Sequence, residues 1–394
     1  MFDTIDTTQE KIYIIQPITK ENVDKYKILQ EEAVALIESA GALYAGTIYQ
    51  NVREINAATY IGEGKLKELK NRLYGLDEIT VLFNGDLSPS QTLNISAALD
   101  DRKVIDRTTL ILDIFAKNAQ SSEGKLQVEL AQLKYMYPRL KGKGEALSRL
   151  GGGVGTRGPG ETKLETDRRY IRGRLKYLEN RLREMEKRRS LQTVRRKKNS
   201  VKTIALVGYT NTGKSTLMNR LTDASVYVKN ELFATLDTTA RRFEIEGIEF
   251  LLFDTVGFLQ DLPHHLIEAF KSTLENALFC DLALIVCDAT GEYDMQLQTT
   301  LTTLKDMNFS SPYLIVMNKT ENCNDFSLFP YGSLSISAKE NIGIEALKYE
   351  ILKVFQKEFV FCELFVPYAQ MSSYNQLRPY ITERTSSFDK TDSV

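Results

Sequence analysis

The stretch GYTNTGKS at residues 208–215 decides the fold of the second half of the chain. It matches the pattern GxxxxGKS/T, with an apolar run (TIALV) before it and a helical pattern after it. In such loops the backbone N–H groups surround a β-phosphate, and the next helix contributes its N-terminus. We expect Lys214 to reach the β- and γ-phosphates and the Ser215 hydroxyl to ligate Mg²⁺. The candidate nucleotide-binding residues of this loop are Gly208, Tyr209, Thr210, Asn211, Thr212, Gly213, Lys214, Ser215 and Thr216.

From residue 199 onward, the apolar runs TIALVG, EFLLFD, LALIVCD, YLIVMN and SLSIS alternate with helical patterns. This alternation predicts a doubly wound P-loop domain of five or six strands over residues 199–357. Residues 358–394 are interpreted as a short C-terminal extension with a polar tail.

A threonine that senses the γ-phosphate through Mg²⁺ is expected after the phosphate loop. Thr235 lies 20 residues beyond Ser215, in the segment LFATLDTTAR, and Thr238 and Thr239 remain alternatives for this role. The neighbouring candidates for nucleotide contact are Phe233, Ala234, Leu236 and Asp237.

The segment DTVG at residues 254–257 closes another apolar run, 40 residues after Lys214. At this place Asp254 is expected to hold Mg²⁺ through water, and the Gly257 N–H is expected to contact the γ-phosphate. Thr255 and Val256 lie between them as further candidates. The residues predicted to serve catalysis are therefore Lys214, Thr235 and Gly257, with Ser215 and Thr235 as metal ligands.

Two further motifs end later strands, where a base pocket is expected in a doubly wound sheet. They supply the candidates Asn318, Lys319 and Glu321, and then Ser337, Ala338 and Lys339. A guanine pocket usually has Asp where this chain has Glu321, so selectivity for GTP over ATP depends on how the longer side chain is placed.

Phe258 follows DTVG, where a water-orienting glutamine is common in other GTPases. A phenyl ring cannot hydrogen-bond water, so we expect slow intrinsic hydrolysis that depends on a partner. Asn211 resembles the asparagine of potassium-assisted GTPases, which makes K⁺ a candidate second cofactor beside Mg²⁺.

The first part of the chain has a different organisation. Residues 1–118 alternate strand-like and helix-like runs, which predicts an N-terminal α/β domain with a largely parallel sheet. Residues 119–198 carry leucines at heptad spacing on both sides of a loop over about 141–161, which predicts an antiparallel helical hairpin. That loop contains GGGVGTRGPG, and a mobile tether is its alternative interpretation.

Charge is concentrated in the hairpin. Residues 134–202 contain 22 Lys and Arg against 7 Asp and Glu, whereas the whole chain has a net charge of −1. A basic block in an otherwise acidic protein favours a polyanionic partner, and a solvated charged helix is the alternative.

Other classes of protein are disfavoured. No stretch approaches about 18 consecutive apolar residues, and the N-terminus lacks the features of a signal peptide. The four cysteines have no metal-ligand spacing, so we expect inert thiols in a reducing cytoplasm.

The motifs together resemble the HflX family of ribosome-associated GTPases. The resemblance covers roughly residues 13–367 and rests on GGGVGTRGPGETKLETDRR at 151–169, GYTNTGKST at 208–216, LFATLD at 232–237 and DTVGF at 254–258. The chain departs from the family at Glu321 and in its shorter C-terminal region.

This resemblance implies partners as well as activity. It implies GTP and GDP as ligands, binding to the large ribosomal subunit and its rRNA near the peptidyl-transferase centre, and dissociation of stalled ribosomes. The candidate RNA-binding residues in the glycine-rich segment are Arg157, Lys163, Arg168 and Arg169. We expect a monomer with no DNA partner. A signalling-type GTPase switch with a protein partner, and a nucleotide-dependent RNA chaperone or helicase accepting ATP, remain alternatives.

Overall fold

A computed structural model of the chain describes residues 9–76, 78–149, 159–198, 201–222, 232–233, 239–260, 263, 266, 279–323, 325–356 and 364–377. The chain groups into two compact units. The first contains Met1–Arg183, Glu231–Ala234 and Gln260–Phe270, and the second contains Glu184–Asn230, Thr235–Leu259 and Lys271–Val394. The four segments expected from the sequence stay a prediction at their boundaries.

The first unit is built on a four-stranded sheet. Its strands are β1 (Lys11–Ile18), β2 (Leu43–Asn51), β3 (Ile79–Phe83) and β4 (Val104–Asp106). They are paired in the order β2-β1-β3-β4, and every pair is parallel. All five residues of β3 are buried, as expected for a parallel strand covered on both faces. The expected parallel α/β arrangement is confirmed.

Two of the four helices of this sheet begin at a side-chain cap. They are α1 (Tyr26–Ala40), α2 (Glu63–Arg72), α3 (Pro89–Ala98) and α4 (Arg107–Asn118). At the start of α3, Ser88 and Gln91 form a capping box, and Pro89 takes the first helical position. Asp106 caps α4 through the backbone N–H of Thr109.

Two long helices follow, α5 (Ser122–Arg149) and α6 (Pro159–Lys198). The loop between them is shorter than the sequence suggested, because residues 141–149 continue α5. Lys, Glu, Ala, Leu and Arg in KGKGEALSR outweigh its two glycines in helix propensity. The two helices are connected by an ion pair of Arg174 with Glu129 at 2.6 Å and by one of Lys134 with Glu179 at 3.1 Å.

The middle of α5 is attached to the sheet through Asp106. The carboxylate of Asp106 accepts a hydrogen bond from the Tyr135 hydroxyl and one from Arg139 at 2.9 Å. The guanidinium of Arg139 also lies over the Tyr135 ring, 3.4 Å from its centroid. The Asp106 side chain therefore caps one helix and anchors another.

The second unit contains a six-stranded sheet in the order β10-β9-β8-β5-β7-β6. The strands are β5 (Lys202–Gly208), β6 (Thr239–Ile245), β7 (Ile248–Asp254), β8 (Leu282–Asp288), β9 (Tyr313–Asn318) and β10 (Leu334–Ser335). The helices are α7 (Lys214–Leu221), α8 (Tyr293–Asp306), α9 (Ile344–Phe355) and α10 (Met371–Leu377). All strand pairs are parallel except β6 with β7.

The expected doubly wound P-loop fold is confirmed. One core cluster takes alternate residues of β5, β7 and β8, and therefore one face of the sheet, together with residues of α7 and α9. It includes Phe250 and Phe355, whose ring centroids are 5.5 Å apart. Burial raises the pKa of the Cys280 and Cys287 thiols to about 12, which suits the inert cysteines expected from the sequence. No helix in the part of the chain that the structure describes is long and apolar enough to cross a membrane.

Candidate nucleotide-binding site

The phosphate-binding loop connects the end of β5 to the start of α7. Glycine is required at both of its ends. Gly208 has a φ of 151°, and a Cβ there would lie 2.2 Å from the Val286 carbonyl oxygen. Gly213 has a φ of 90°, and its Cβ would lie 2.3 Å from Nδ2 of Asn318. A side chain at either place would force the loop out of this conformation.

Lys214 lies beneath this loop and is buried. Its Nζ donates to the carbonyl oxygen of Tyr209 at 2.6 Å and to that of Gly208 at 3.2 Å. Burial lowers the pKa of Lys214 to about 8, and the nearby Asp254 carboxylate opposes this shift only in part. The backbone carbonyls are weak partners for the buried Lys214 ammonium. A phosphate group carries a negative charge and would be a stronger partner.

Two side-chain oxygens that could ligate a metal lie close together, one of them on the residue that follows Lys214 in the sequence. The Ser215 hydroxyl donates to Oδ2 of Asp254 at 2.6 Å, because Asp254 ends β7 next to β5 in the sheet. A hydroxyl and a carboxylate oxygen at this spacing are hard ligands of the kind that Mg²⁺ takes together with phosphate oxygens and water. The donor set therefore fits the metal that the motifs imply.

The segment after Asp254 is attached directly to the phosphate loop. Phe258 N donates to Gly208 O at 3.0 Å, and Thr210 N donates to Phe258 O at 2.8 Å. A Cβ on Gly257 would lie 2.7 Å from the Cα of Thr210 and 2.9 Å from Nζ of Lys214. Gly257 is thus beside the lysine, and its contact with the γ-phosphate stays a prediction. Val256 is buried, and Thr255 is buried with its hydroxyl donating to Leu206 O.

The predicted base-binding residues come together at the carboxyl ends of β9 and β10. Asn318 connects two loops, since its Nδ2 donates to Thr212 O at 2.8 Å and its Oδ1 accepts from Ala338 N at 3.0 Å. The Lys319 ammonium pairs with Asp288 at 2.6 Å. The Ser337 side chain is buried and accepts from Glu340 N, which shapes the loop that carries Ala338 and Lys339.

Glu321 lies on the short 3-10 helix Thr320–Asn322. Its Oε2 atom is buried and has no hydrogen-bond partner within the described residues. A buried carboxylate oxygen without a partner is costly unless a ligand satisfies it. Guanine offers two N–H donors on one edge, and a carboxylate oxygen is an acceptor for such donors. The role of Glu321 in place of the usual Asp stays a prediction.

Several predicted residues are not placed at this site. Ala234, Thr235, Leu236, Asp237 and the alternative Thr238 lie outside the described residues. Phe233 belongs to the first unit, where its ring packs on Phe115 with centroids 4.6 Å apart. Thr239 begins β6 and pairs with Asp254 in the sheet. The threonine ligand of the metal therefore stays a prediction.

The candidate RNA-binding residues are partly described. Arg157 lies outside the described residues, and Lys163 is on α6. The Arg168 and Arg172 guanidinium groups lie within 5.9 Å of the Tyr137 ring centroid, and Arg172 donates to the Tyr137 hydroxyl at 2.6 Å. Arg169 is exposed, and Tyr170 is 73% exposed. Exposed arginine and tyrosine side chains on one helix suit contact with phosphates and bases.

Two residues of the site were missed by sequence reasoning. Asp288 ends the buried strand β8, and a polar residue at that place was a usable signal. Arg220 donates to backbone carbonyls of the loop at Ala338 and Lys339, and nothing in its local sequence indicates this.

Three family models match the chain in order. A model described as GTP-binding GTPase N-terminal matches residues 28–116, and one described as GTP-binding GTPase Middle Region matches residues 118–196. A model described as 50S ribosome-binding GTPase matches residues 203–319.

Similar proteins are named GTPase HflX. The one from Caldanaerobacter subterraneus is 48% identical over 88% of this chain and 82% of its own length. The one from Lacrimispora saccharolytica is 42% identical over 94% and 89%, and the one from Escherichia coli is 42% identical over 83% and 76%. Among solved structures, a GTP-binding protein from Sulfolobus solfataricus in complex with GDP is 24% identical over 89% of this chain and 100% of that chain, with a TM-score of 0.47.

Proposed function

The chain belongs to the HflX family of GTPases, and from this premise we propose that it uses GTP hydrolysis to act on the ribosome. Specifically, it binds the large subunit near the peptidyl-transferase centre and dissociates stalled ribosomes into subunits. One observation supports the nucleotide part: Lys214 is buried under the phosphate loop, and Asn318 donates to Thr212 of the same loop from the strand end that precedes Glu321, whose Oε2 is buried and without a partner among the described residues.

Each residue on the phosphate side of the site has its own role in this proposal. Lys214 exchanges the carbonyl oxygens of Tyr209 and Gly208 for the β- and γ-phosphates. Ser215 and Asp254 would hold Mg²⁺, with Thr235 as the predicted second direct ligand. The metal supplies neutralisation of phosphate charge when it is bound. The Gly257 N–H stabilises charge at the γ-phosphate.

The side chain of Phe258 has no polar group with which to orient the attacking water. Its side chain is 2% exposed and apolar, and its backbone is bonded to the phosphate loop. It cannot orient the attacking water, so we assign this role to a group that the ribosome places, with K⁺ near Asn211 as an additional source of positive charge. The rate of GTP hydrolysis then depends on the ribosome.

The first unit supplies ribosome recognition in this proposal. The helices α5 and α6 and the glycine-rich segment between them carry most of the excess positive charge, and α6 belongs to the first unit up to Arg183. The candidate contacts Arg157, Lys163, Arg168 and Arg169 all lie in the first unit. Phosphates attract these side chains, and exposed aromatic rings stack on unpaired bases. The protein acts as a monomer, with rRNA and not DNA as its nucleic-acid partner.

Sedimentation with purified ribosomes tests the proposal. The protein is mixed with 70S ribosomes and GTP, GDP or a non-hydrolysable GTP analogue, and sucrose gradients resolve subunits from intact ribosomes. We expect binding to the large subunit with the analogue and subunit dissociation that requires a GTP-form nucleotide. Absence of co-sedimentation would favour a switch with a protein partner, and dissociation driven equally by ATP would favour a helicase-type activity.

A further inference from the structure

Arg220 connects the phosphate helix to the base-binding loop. It lies in the last turn of α7, whose first residue is Lys214. Its Nε donates to Ala338 O at 3.0 Å, and a terminal nitrogen donates to Lys339 O at 2.7 Å. The guanidinium is planar and presents its donors as a rigid fork, so one side chain fixes two successive carbonyls.

The direction of these carbonyls determines the direction of the neighbouring N–H groups. A peptide unit is planar and trans, so its C=O and N–H point in opposite directions. Because the Ala338 carbonyl points at Arg220, the Lys339 N–H in the same peptide points away from it. On the other side, Ala338 N donates to Asn318 at 3.0 Å. The loop is thus held from two sides, and the Lys339 N–H has a fixed orientation.

A fixed N–H donor can distinguish the two purines. Guanine carries an acceptor at O6, whereas adenine carries an amino donor at the corresponding N6. A backbone N–H that faces this position can bond guanine and opposes adenine. We infer that Arg220 is a positioning residue for base selection, which aims the Lys339 N–H at guanine O6 without contacting the nucleotide. The inference rests on the proposed nucleotide site, with the base beside Asn318 and Glu321.

The arrangement also explains why an arginine occupies this place. A lysine at residue 220 has a single ammonium and no fork, so it would not hold both carbonyls in the geometry that a planar group imposes. Asn318 makes a second connection, since it joins Thr212 of the phosphate loop to Ala338. Arg220 and Asn318 together keep the phosphate and base halves of the site in one relative position.

The test compares Arg220→Met and Arg220→Lys with the wild type by calorimetry, in the full-length chain. The ligands are GDP, ADP and 6-thio-GDP, in which sulfur replaces the O6 acceptor and the other edge donors are kept. We expect Arg220→Met to weaken GDP binding about three- to tenfold, the worth of one neutral hydrogen bond, and to leave 6-thio-GDP and ADP binding nearly unchanged. Arg220→Lys should lie between the two.

A matched control is Arg242→Ala, which removes an exposed arginine of the same unit that pairs with Glu249 at 2.9 Å. It should change none of the three affinities. An equal loss for all three ligands in Arg220→Met would show a general structural role and overturn the inference, and so would an unchanged ratio of GDP to 6-thio-GDP affinity in both Arg220 variants. A wild-type protein that binds GDP and ADP equally would instead overturn the proposed guanine site, and this inference with it.

Discussion

The ammonium nitrogen of Lys214 lies 2.6 Å from the carbonyl oxygen of Tyr209, so the lysine expected to bind phosphate folds back onto its own loop. Backbone carbonyls compensate only part of the hydration that this buried cation has lost. The lowered pKa of Lys214, about 8, expresses the same cost, because burial disfavours the charged form.

Lys214→Met is therefore expected to stabilise the nucleotide-free protein at pH 7 while abolishing tight Mg²⁺-GTP binding. The folded-state pKa lies below the unfolded value near 10.5, so the penalty is complete below about pH 8 and disappears as pH rises toward 10.5. At about 1.4 kcal/mol per pKa unit, the gain at pH 7 is at most roughly 3 kcal/mol. Thermal unfolding at pH 7 and pH 10 measures it.

Lys348→Met is the control for that experiment, since Lys348 forms a surface ion pair with Glu345 at 2.9 Å. It should leave the unfolding temperature nearly unchanged at both pH values. A Lys214→Met protein that unfolds at a lower temperature than wild type at pH 7 would contradict the assigned cost.

Glu321→Gln should reduce the preference for GTP over ATP. The amide presents a donor to the N–H groups of guanine, where the carboxylate presents acceptors only. Loss of a charge-assisted pair is worth about 1.5–3 kcal/mol, or roughly 10- to 100-fold in affinity. Competition binding measures the preference, with Glu340→Gln as an exposed control beside Lys339. An unchanged preference would remove Glu321 from the base site.

Hydrolysis should be slow in the isolated protein and accelerated by ribosomes, because Phe258 offers no polar group to the attacking water. Phosphate release is measured with and without 70S ribosomes under single-turnover conditions. Fast turnover of the protein alone would mean that a residue of this chain already orients the water.

Potassium should support faster turnover than sodium at equal ionic strength. Asn211 has a φ of 59° and lies in the phosphate loop, where its side-chain oxygen can serve a monovalent cation beside the nucleotide. Asn211→Ala should remove the difference between the two salts. Equal rates in potassium and sodium for the wild type would exclude this role.

Replacement of residues 151–160 by a Gly/Ser linker should preserve GTP binding and abolish ribosome binding and splitting. The substitution removes Arg157 and Pro159 and keeps the flexibility that a tether needs. Removal of a cationic side chain that binds phosphate also flattens the salt dependence of binding, by about one unit of log–log slope per phosphate. Gradient sedimentation over a salt series measures both effects. Splitting at the normal rate would show that the segment is only a connector.

Local patterns predicted most of the fold, because each βα unit is encoded by a run of neighbouring residues. The strand β6 was missed, although Phe243 and Ile245 alternate with Arg242 and Glu244 as in a half-buried strand. Glu246 and Gly247 at its end both have positive φ, which is the geometry of a tight hairpin turn. A stronger turn sequence such as Asn-Gly would have revealed this hairpin.

Some residues of the site could be predicted from a short motif, whereas contacts between residues far apart in the sequence could not. The glycines at 208 and 213 and the residues Lys214 and Ser215 follow from one motif. The bond from Asn318 to Thr212 joins residues 106 positions apart, and that from Arg220 to Ala338 joins residues 118 apart. Such contacts depend on strand order and register, which a single sequence does not encode in any short pattern.

The hydrogen bonds of Asp106 affect how easily α5 can tilt against the first sheet. Its carboxylate receives Tyr135 and Arg139 from α5 while it caps α4 at the edge of the first sheet. A force that tilts α5 therefore loads these two hydrogen bonds together with the packing of α5 on α3 and α4. The resistance of the helix to tilting depends on a side chain at the edge of the sheet as well as on the helix itself.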